Sequence, residues 1–261
     1  MIDLNNKESV NKLLSQVVDL SAKAGDAIME IYNGPAFHVT HKEDKSPLTA
    51  ADLASHRTIV GGLRQMTPEW PVLSEESEST PYEARRDWPL FWLVDPLDGT
   101  KEFLKRNGEF TVNIALIEEG MPILGVVFAP ANGKMYFAAR GTGAFKLENS
   151  EAIPIHVQRG PGSATRVIVS RSHGGDESEL YRKKYGECQF VPMGSSLKFC
   201  LVAEGTADVY PRSGPTMEWD TAAAHCILDQ AGGSVTAADG SRFLYNKPSL
   251  LNPGFLASGL I

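Results

Sequence analysis

Apolar residues recur at helical spacing over residues 8–32, and this pattern predicts one long amphipathic helix. The sequence Asn33-Gly34-Pro35 is expected to end that helix, because Gly and Pro terminate helices. A second helix is predicted over residues 50–66. The short apolar runs that follow are typical of buried strands. In the first half of the chain, the predicted strands cover residues 72–74, 91–94, 111–118, 123–129, 134–140 and 143–147.

Between residues 148 and 165 the sequence becomes rich in Glu, Ser, Gly and Pro, which favours a domain boundary there. Beyond this segment, strands and helices alternate. The predicted strands cover residues 166–170 and 207–210, and the predicted helices cover residues 178–185, 195–204 and 220–231. We therefore expect an α/β protein whose first half, residues 1–155, is α+β with an antiparallel sheet and whose second half, residues 156–261, is a smaller α/β domain.

The composition limits the classes of function. The 261 residues are 42% hydrophobic and 22% charged, as in an ordinary globular protein, and the net charge is −7. A nucleic-acid partner is not expected, because such proteins carry a basic surface. An acidic protein that binds anionic phosphates needs local positive charge, and divalent cations would supply it.

Other features predict a cytoplasmic protein. The three cysteines are widely spaced and give no disulfide framework. The N-terminal segment lacks the layout of a signal peptide, and no apolar stretch approaches the ~18 residues of a membrane span. Peripheral association with the inner membrane stays open, as does the oligomeric state.

The strongest local motif is Asp95-Pro96-Leu97-Asp98-Gly99-Thr100, directly after an apolar strand. Pro96 and Gly99 predict a tight turn that can aim both carboxylates and the Leu97 carbonyl at one point. Mg²⁺ prefers oxygen ligands of this kind. Thr100 could cap a helix whose N–H groups face a phosphate. A plain Asp-rich turn is the alternative.

Three further carboxylates each have a simpler explanation when taken alone. Glu75 could belong to a solvated acidic loop, and Asp220 could be only the N-cap of the helix that follows it. Asp52 fits a capping box that begins at Thr49. Together with the Asp-rich turn, however, they lie at strand ends and helix starts, where open α/β structures bind ligands. The combination favours a metal and phosphate site.

Three segments in this order resemble the signature segments of the inositol monophosphatase superfamily, which consists of lithium-sensitive, magnesium-dependent phosphatases. They are Val72-Leu73-Ser74-Glu75-Glu76-Ser77, Trp92-Leu93-Val94-Asp95-Pro96-Leu97-Asp98-Gly99-Thr100 and Trp219-Asp220-Thr221-Ala222-Ala223. The resemblance covers nearly the whole chain and implies a five-layered αβαβα sandwich. Lys101-Glu102-Phe103 differs from the segment that inositol monophosphatases usually have at this place. Residues 194–205 and 208–212 are similar to the bacterial 3′(2′),5′-bisphosphate nucleotidases within that superfamily. Those enzymes remove the 3′-phosphate of adenosine 3′,5′-bisphosphate, a by-product of sulfate assimilation.

The resemblance also implies roles for individual residues. Two or three Mg²⁺ ions would be held by Glu75, Asp95, the Leu97 carbonyl, Asp98 and Asp220. Asp52 and Thr100 would form the catalytic pair that orients and deprotonates the attacking water, with Thr100 hydrogen-bonded to Asp52. Residues 1–155 would bind metal and phosphate, and residues 156–261 would complete the metal site and bind the nucleotide. The expected substrate contacts are Glu75, Leu97, Asp98, Gly99, Thr100, His173, Ser195, Lys198, Arg212 and Asp220.

Two alternatives to the nucleotidase remain at this point. One is an inositol monophosphatase or sugar (bis)phosphatase with the same metal chemistry. The other is a non-catalytic nucleotide-binding protein that keeps the fold, although the full set of acidic residues counts against it. Without the resemblance, Lys198, Arg212 and His173 would be read as a surface lysine, a surface arginine and a loop histidine.

Overall fold

The computed structural model describes residues 2–34, 39–41, 47–158, 162–171 and 178–259. The helices of these residues are α1 Lys7–Tyr32, α2 Ala50–Met66, α3 Tyr82–Arg85, α4 Thr100–Leu104, α5 Ser178–Tyr185, α6 Leu197–Ala203 and α7 Glu218–Gln230. The strands are β1 Val39–His41, β2 Pro47–Thr49, β3 Val72–Ser74, β4 Leu90–Asp98, β5 Thr111–Glu118, β6 Met121–Ala129, β7 Lys134–Ala139, β8 Gly143–Glu148, β9 Glu151–Ile155, β10 Thr165–Ser170, β11 Cys188–Met193, β12 Val209–Arg212, β13 Ser234–Ala237 and β14 Phe255–Ser258.

Two large sheets organise the chain. The first has seven strands in the order β3-β4-β5-β6-β7-β8-β9, and only its β3–β4 pair is parallel. The second has five strands in the order β11-β10-β12-β14-β13; β10 runs parallel to both of its neighbours, and the pairs that include β14 are antiparallel. The predicted antiparallel sheet in the first half is therefore confirmed.

The helices and the sheets form five layers. Helices α1 and α2 cover the outer face of the seven-stranded sheet, over a core that includes Leu13, Ile59 and Trp92. Helices α6 and α7 lie between the two sheets, and α5 covers the far face of the five-stranded sheet, where Tyr181 packs on Val167. This order is the expected αβαβα sandwich. Helix α7 contacts both sheets, so the division at residue 155 into two domains stays a prediction.

Helix α7 lies unusually close to the seven-stranded sheet. At Gly125 in β6, a Cβ atom would overlap the carbonyl group of Ala223 in α7, so only glycine allows this approach. The contact fixes the depth of α7 between the sheets. The position of Asp220 at the start of α7 therefore depends on it.

The local pattern predicted several elements well and missed others. Helix α2 and strand β3 have the predicted bounds. Helix α1 begins one residue before its predicted start. Strand β9 lies inside the segment that was expected to be a domain boundary, because its residues pair with β8 and extend the seven-stranded sheet. Strands β1, β2, β11, β13 and β14 were not predicted either. Among the described residues, no helix combines the length and the apolar character that crossing a bilayer requires.

Candidate metal centre and adjoining cavity

The Asp-rich turn begins inside β4. The register between β4 and β5 shifts between Asp95 and Asp98, so the strand bulges where the two carboxylates lie. The Leu97 N–H donates to Asp95 Oδ1 at 3.0 Å, and the Ser55 hydroxyl of α2 donates to the Pro96 carbonyl at 2.7 Å. These bonds hold the turn against α2.

Gly99 makes the reversal from β4 into α4. Its φ is +92°, in the left-handed region that favours glycine, and a Cβ there would lie 3.2 Å from the Glu109 carbonyl oxygen. Gly99 is therefore the N-cap of α4, and Thr100 is its first residue. The prediction that Thr100 caps this helix is wrong, because the turn requires a conformation that Thr adopts only with strain.

Three carboxylates from distant parts of the chain meet at this turn. Ligand oxygens of Asp95, Asp98 and Asp220 all lie within 4.8 Å of one another. Asp220 is the third residue of α7, and its Oδ2 accepts the Met217 N–H at 2.8 Å. The prediction that Asp220 is the N-cap is wrong, since the helix begins two residues earlier and Met217 is the N-cap. The second oxygen of Asp220 is thus available to the cluster.

Glu75 lies beside the same cluster. Its N–H donates to the Val94 carbonyl at 3.1 Å, which continues the parallel β3–β4 pairing to the end of both strands. The Glu75 carboxyl contributes to the electrostatic environment of Asp95. The structure therefore brings together all four predicted metal-binding carboxylates.

Burial and mutual repulsion disfavour the charged forms of these carboxylates. Burial raises the pKa of Asp95 well above its usual range, and the charges of Glu75, Asp98 and Asp220 raise it further. Burial and Asp98 raise the pKa of Asp220 in the same way. Four converging carboxylates with oxygen donors only are the ligand set that Mg²⁺ takes. The residues present therefore fit a divalent cation.

Asp98 is also held by residues that the sequence analysis did not predict. The Ser196 hydroxyl lies 2.9 Å from Asp98 Oδ2 and 2.6 Å from the Asp220 carbonyl oxygen. It accepts a hydrogen bond from Asn113 Nδ2 at 2.8 Å. Burial raises the pKa of Asp98, and Lys198 and Ser196 oppose this shift. The only signal in the sequence was Asn113 itself, a polar residue within an apolar strand.

Asp52 is buried at the start of α2, and its environment differs from the prediction. Its Oδ2 accepts both the N–H and the hydroxyl of Thr49, so the expected capping box is confirmed. No hydrogen bond joins Asp52 to Thr100 among the described residues, and both bonds from Thr49 end on Oδ2. Burial raises the pKa of Asp52, and the bonds from Thr49 oppose this shift.

A cavity of about 550 Å³ opens beside the carboxylates, between the two sheets. It is lined by Asp98, Gly99, Thr100, Lys101, Glu102, Ser170, Gly194, Ser195, Ser196, Lys198, Phe199, Tyr210, Arg212, Gly214, Pro215, Thr216, Asp220 and Thr221. Expected metal ligands and expected nucleotide contacts thus share one cavity. The aromatic residues Phe199 and Tyr210 and the carboxylate of Glu102 were not predicted as part of it.

Three basic residues line this cavity, Lys101, Lys198 and Arg212, and the last two are the predicted contacts of the second phosphate. Lys198 Nζ lies 5.5 Å from the ring centre of Tyr210, and burial lowers the pKa of Lys198. Arg212 Nη2 donates to the Pro215 carbonyl at 3.2 Å, while its buried Nε has no hydrogen-bond partner among the described residues. Both cations are therefore positioned to receive an anion.

Two expected substrate contacts need separate comment. Ser195 lines the cavity, but it lies before α6, which begins at Leu197 with Ser196 as its N-cap. The prediction that Ser195 opens the helix is wrong, because its positive φ of 46° is not helical. His173 lies outside the described residues.

The family comparison agrees with this geometry. The model of the inositol monophosphatase family matches residues 9–260, and the chain belongs to that family. The 3′(2′),5′-bisphosphate nucleotidase CysQ of Salmonella typhimurium is 53% identical over 245 residues, which cover 93% of this chain and 98% of that protein. The protein of the same name from Escherichia coli strain K12 is 52% identical over 248 residues, covering 94% and 99%.

Solved structures give the same result for the fold. The crystal structure of CysQ from Bacteroides thetaiotaomicron, a bacterial member of this family, matches with a TM-score of 0.82 and 42% identity. It covers 95% of this chain and 97% of that chain. The inositol monophosphatase from Anabaena matches with a TM-score of 0.76 and 25% identity, covering 96% and 91%.

Proposed function

We propose that this chain is a magnesium-dependent phosphatase that removes the 3′-phosphate of adenosine 3′,5′-bisphosphate and releases AMP and phosphate. The observation that carries the proposal is the convergence of Asp95, Asp98 and Asp220 beside a cavity that also contains Lys198 and Arg212. Relatives named as 3′(2′),5′-bisphosphate nucleotidases at 52–53% identity support this choice of substrate within the family.

The metal would be held by the acidic cluster. Glu75 and Asp95 would hold the ion on the side of the attacking water, and Asp95, Asp98 and Asp220 would hold one on the side of the leaving group, with the Leu97 carbonyl as a further ligand. Bound Mg²⁺ lowers the pKa of water and supplies positive charge next to the leaving oxygen. Two or three ions are proposed, the number that the resemblance to the inositol monophosphatase superfamily implies.

The remaining groups at the turn would orient the reactants. The Thr100 hydroxyl would align the attacking water, and Asp52 would take its proton. The N–H groups of Gly99 and Thr100 would bind the oxygens of the phosphate that is removed. In the reaction, a bond forms between the water oxygen and phosphorus, and the bond from phosphorus to the 3′ oxygen breaks. The attacking water gives up one proton to Asp52, and the leaving 3′ oxygen takes one proton from solvent water.

The second phosphate of the substrate would bind in the same cavity. Lys198, Arg212 and Ser195 are the proposed contacts, because this phosphate needs positive charge and donors that the metal site does not supply. The buried Nε of Arg212, which has no hydrogen-bond partner among the described residues, supports this assignment. A buried donor without an acceptor costs free energy, and a bound phosphate would supply the acceptor. His173 is also proposed to contact the nucleoside.

A substrate panel tests the proposal. Phosphate release is measured with adenosine 3′,5′-bisphosphate, inositol 1-phosphate and fructose 1,6-bisphosphate, each with Mg²⁺ and with EDTA. The expected result is the highest kcat/KM for the bisphosphate nucleotide and no turnover in EDTA. A preference for inositol 1-phosphate or for fructose 1,6-bisphosphate would instead indicate an inositol monophosphatase or a sugar bisphosphatase. Tight nucleotide binding without turnover would indicate a non-catalytic binding protein.

A further inference from the structure

Glu109 lies outside the sites described so far, yet it joins the two sides of the cavity. It follows α4 and immediately precedes Phe110 and β5, and its side chain is 16% exposed. Its carboxylate makes three short hydrogen bonds to the other side of the cavity. Arg171 donates to it through Nε and Nη2, each at 2.7 Å, and the Gly194 N–H donates at 2.8 Å.

The backbone of Glu109 also lies close to both sides of the cavity, at Gly99 and at Gly194. Its carbonyl oxygen lies 3.2 Å from the position that a Cβ would take at Gly99, and 2.9 Å from the corresponding position at Gly194. A Cβ at Gly194 would also meet the side chain of Glu109 at 2.9 Å. Glu109 is therefore packed between the turn that carries Asp98 and the segment that follows β11.

Arg171 extends this connection into the five-stranded sheet. It directly follows β10, and its Nη2 also donates to the Pro192 carbonyl of β11 at 3.1 Å. Its backbone N–H donates to the Met193 carbonyl at 3.3 Å. The bidentate pair of Arg171 and Glu109 thus ties the ends of β10 and β11 to the seven-stranded sheet.

The segment held in this way carries the cavity's polar groups. Gly194 is followed by Ser195, whose φ is +46°, by Ser196, which contacts Asp98, and by α6 with Lys198 near its start. A loop with a strained backbone adopts one position only where its surroundings fix it. The carboxylate of Glu109 supplies such a fixed point at Gly194.

We propose that Glu109 is a positioning residue that sets the distance between the metal-binding turn and the segment 194–198, and thereby the affinity for the second phosphate of the substrate. Glu109 does not line the cavity and acts only through Gly194 and Arg171. This inference rests on the proposed function, because it assumes a substrate that spans both sides of the cavity.

The test compares E109A, E109Q and R171A with the unchanged protein on two substrates. One is adenosine 3′,5′-bisphosphate, and the other is p-nitrophenyl phosphate, which has no second phosphate. We expect E109A to raise KM for the bisphosphate about tenfold or more, the change that corresponds to one lost charge-assisted hydrogen bond. Its kcat, and both constants for p-nitrophenyl phosphate, should change by less than about threefold, because Asn113 and the Asp220 carbonyl hold Ser196 beside Asp98 independently of Glu109.

The other variants separate the two interactions. E109Q keeps an acceptor for the Gly194 N–H but weakens the pair with Arg171, so its KM should lie between those of E109A and the unchanged protein. R171A should resemble E109Q. The control is E118Q, at the opposite end of β5, where Glu118 pairs with Arg140 at 2.7 Å away from the cavity. It should leave KM unchanged for both substrates.

Several outcomes would overturn the proposal. An unchanged KM in E109A, or an equal rise for both substrates, would exclude a role specific to the second phosphate. If E109A does not fold, E109Q and R171A are judged by the same criterion. Absence of bisphosphate hydrolysis by the unchanged protein would instead refute the proposed function, so the two failures are distinguishable.

Discussion

Asp95 and Asp220 have ligand oxygens within 4.8 Å of each other, although one lies in strand β4 and the other in the first turn of α7. Each is raised in pKa by burial and by the charge of its neighbours. Asp95 is buried and Asp220 partly buried. Two such carboxylates at this distance destabilise a fold unless a cation or protons compensate their charge. The pair therefore links the stability of the sandwich to metal binding.

Replacing Asp98 with Asn should abolish most of the activity. Asn keeps the shape of the side chain and a contact with Ser196 but removes one charged metal ligand. Losing a residue that only hydrogen-bonds to a metal ligand costs up to about 100-fold, so losing the ligand itself should lower kcat/KM by at least about 100-fold. Phosphate release at saturating Mg²⁺ checks this prediction. Asp87→Asn, at a side chain that is 83% exposed, is the control and should be silent. Activity retained in Asp98→Asn would contradict the proposed site.

The metal-free protein should lose stability as the pH rises. Unfolded Asp has a pKa of about 3.9, and the pKa values of Asp95 and Asp220 in the fold lie well above their usual range. The folded state therefore binds these protons more tightly, and this contribution is complete below the unfolded pKa and is lost as the pH rises through the folded one.

Urea unfolding in EDTA at a series of pH values measures this dependence. In the unchanged protein, the free energy of unfolding should fall as the pH rises above about 4. In Asp95→Asn this fall should be less steep. Mg²⁺ should restore stability mainly at neutral and higher pH, because it binds deprotonated carboxylates. Identical slopes for the two proteins would show that Asp95 is not a major contributor.

Lys198 should discriminate between substrates with one and two phosphates. Lys198→Ala removes a cation from the cavity wall, so KM for adenosine 3′,5′-bisphosphate should rise about tenfold or more, as for a lost charge-assisted hydrogen bond. KM for p-nitrophenyl phosphate should change much less. Steady-state kinetics at saturating Mg²⁺ measure both, with the exposed Lys134→Ala as the control. Equal effects on the two substrates would remove Lys198 from the second phosphate site.

The close approach of α7 to the sheet can be tested with two glycines. Gly125→Ala places a methyl group against the Ala223 carbonyl and should destabilise the fold by about 1–3 kcal/mol, as for an overpacked core. Activity should also fall, since α7 carries Asp220. Gly61→Ala, in α2 with open space around its Cβ position, should instead stabilise by about 0.5–1 kcal/mol. Thermal and urea unfolding compare the two, and a neutral Gly125→Ala would contradict the packing described here.

Local sequence patterns were sufficient where neighbouring residues determine the structure. The helical spacing of apolar residues located α1 and α2, and the capping box at Thr49 and Asp52 marked the start of α2. The exact starts of α4, α6 and α7 were misjudged, because caps depend on single backbone conformations that periodicity does not encode. Strand β9 was missed for a related reason. Its sequence contains Glu and Pro, which are typical of loops, and only its pairing with β8 makes it a strand.

By itself the sequence determined which carboxylates lie at strand ends and helix starts, and its motifs placed the chain in a family of metal-dependent phosphatases. The tertiary structure alone decided that Ser196 and Asn113 hold Asp98 and that Glu109 joins the two sides of the cavity. These are contacts of single hydrogen-bonding groups, most of them between elements far apart in the chain. Their geometry is fixed by how the layers pack, which no local pattern of residues contains.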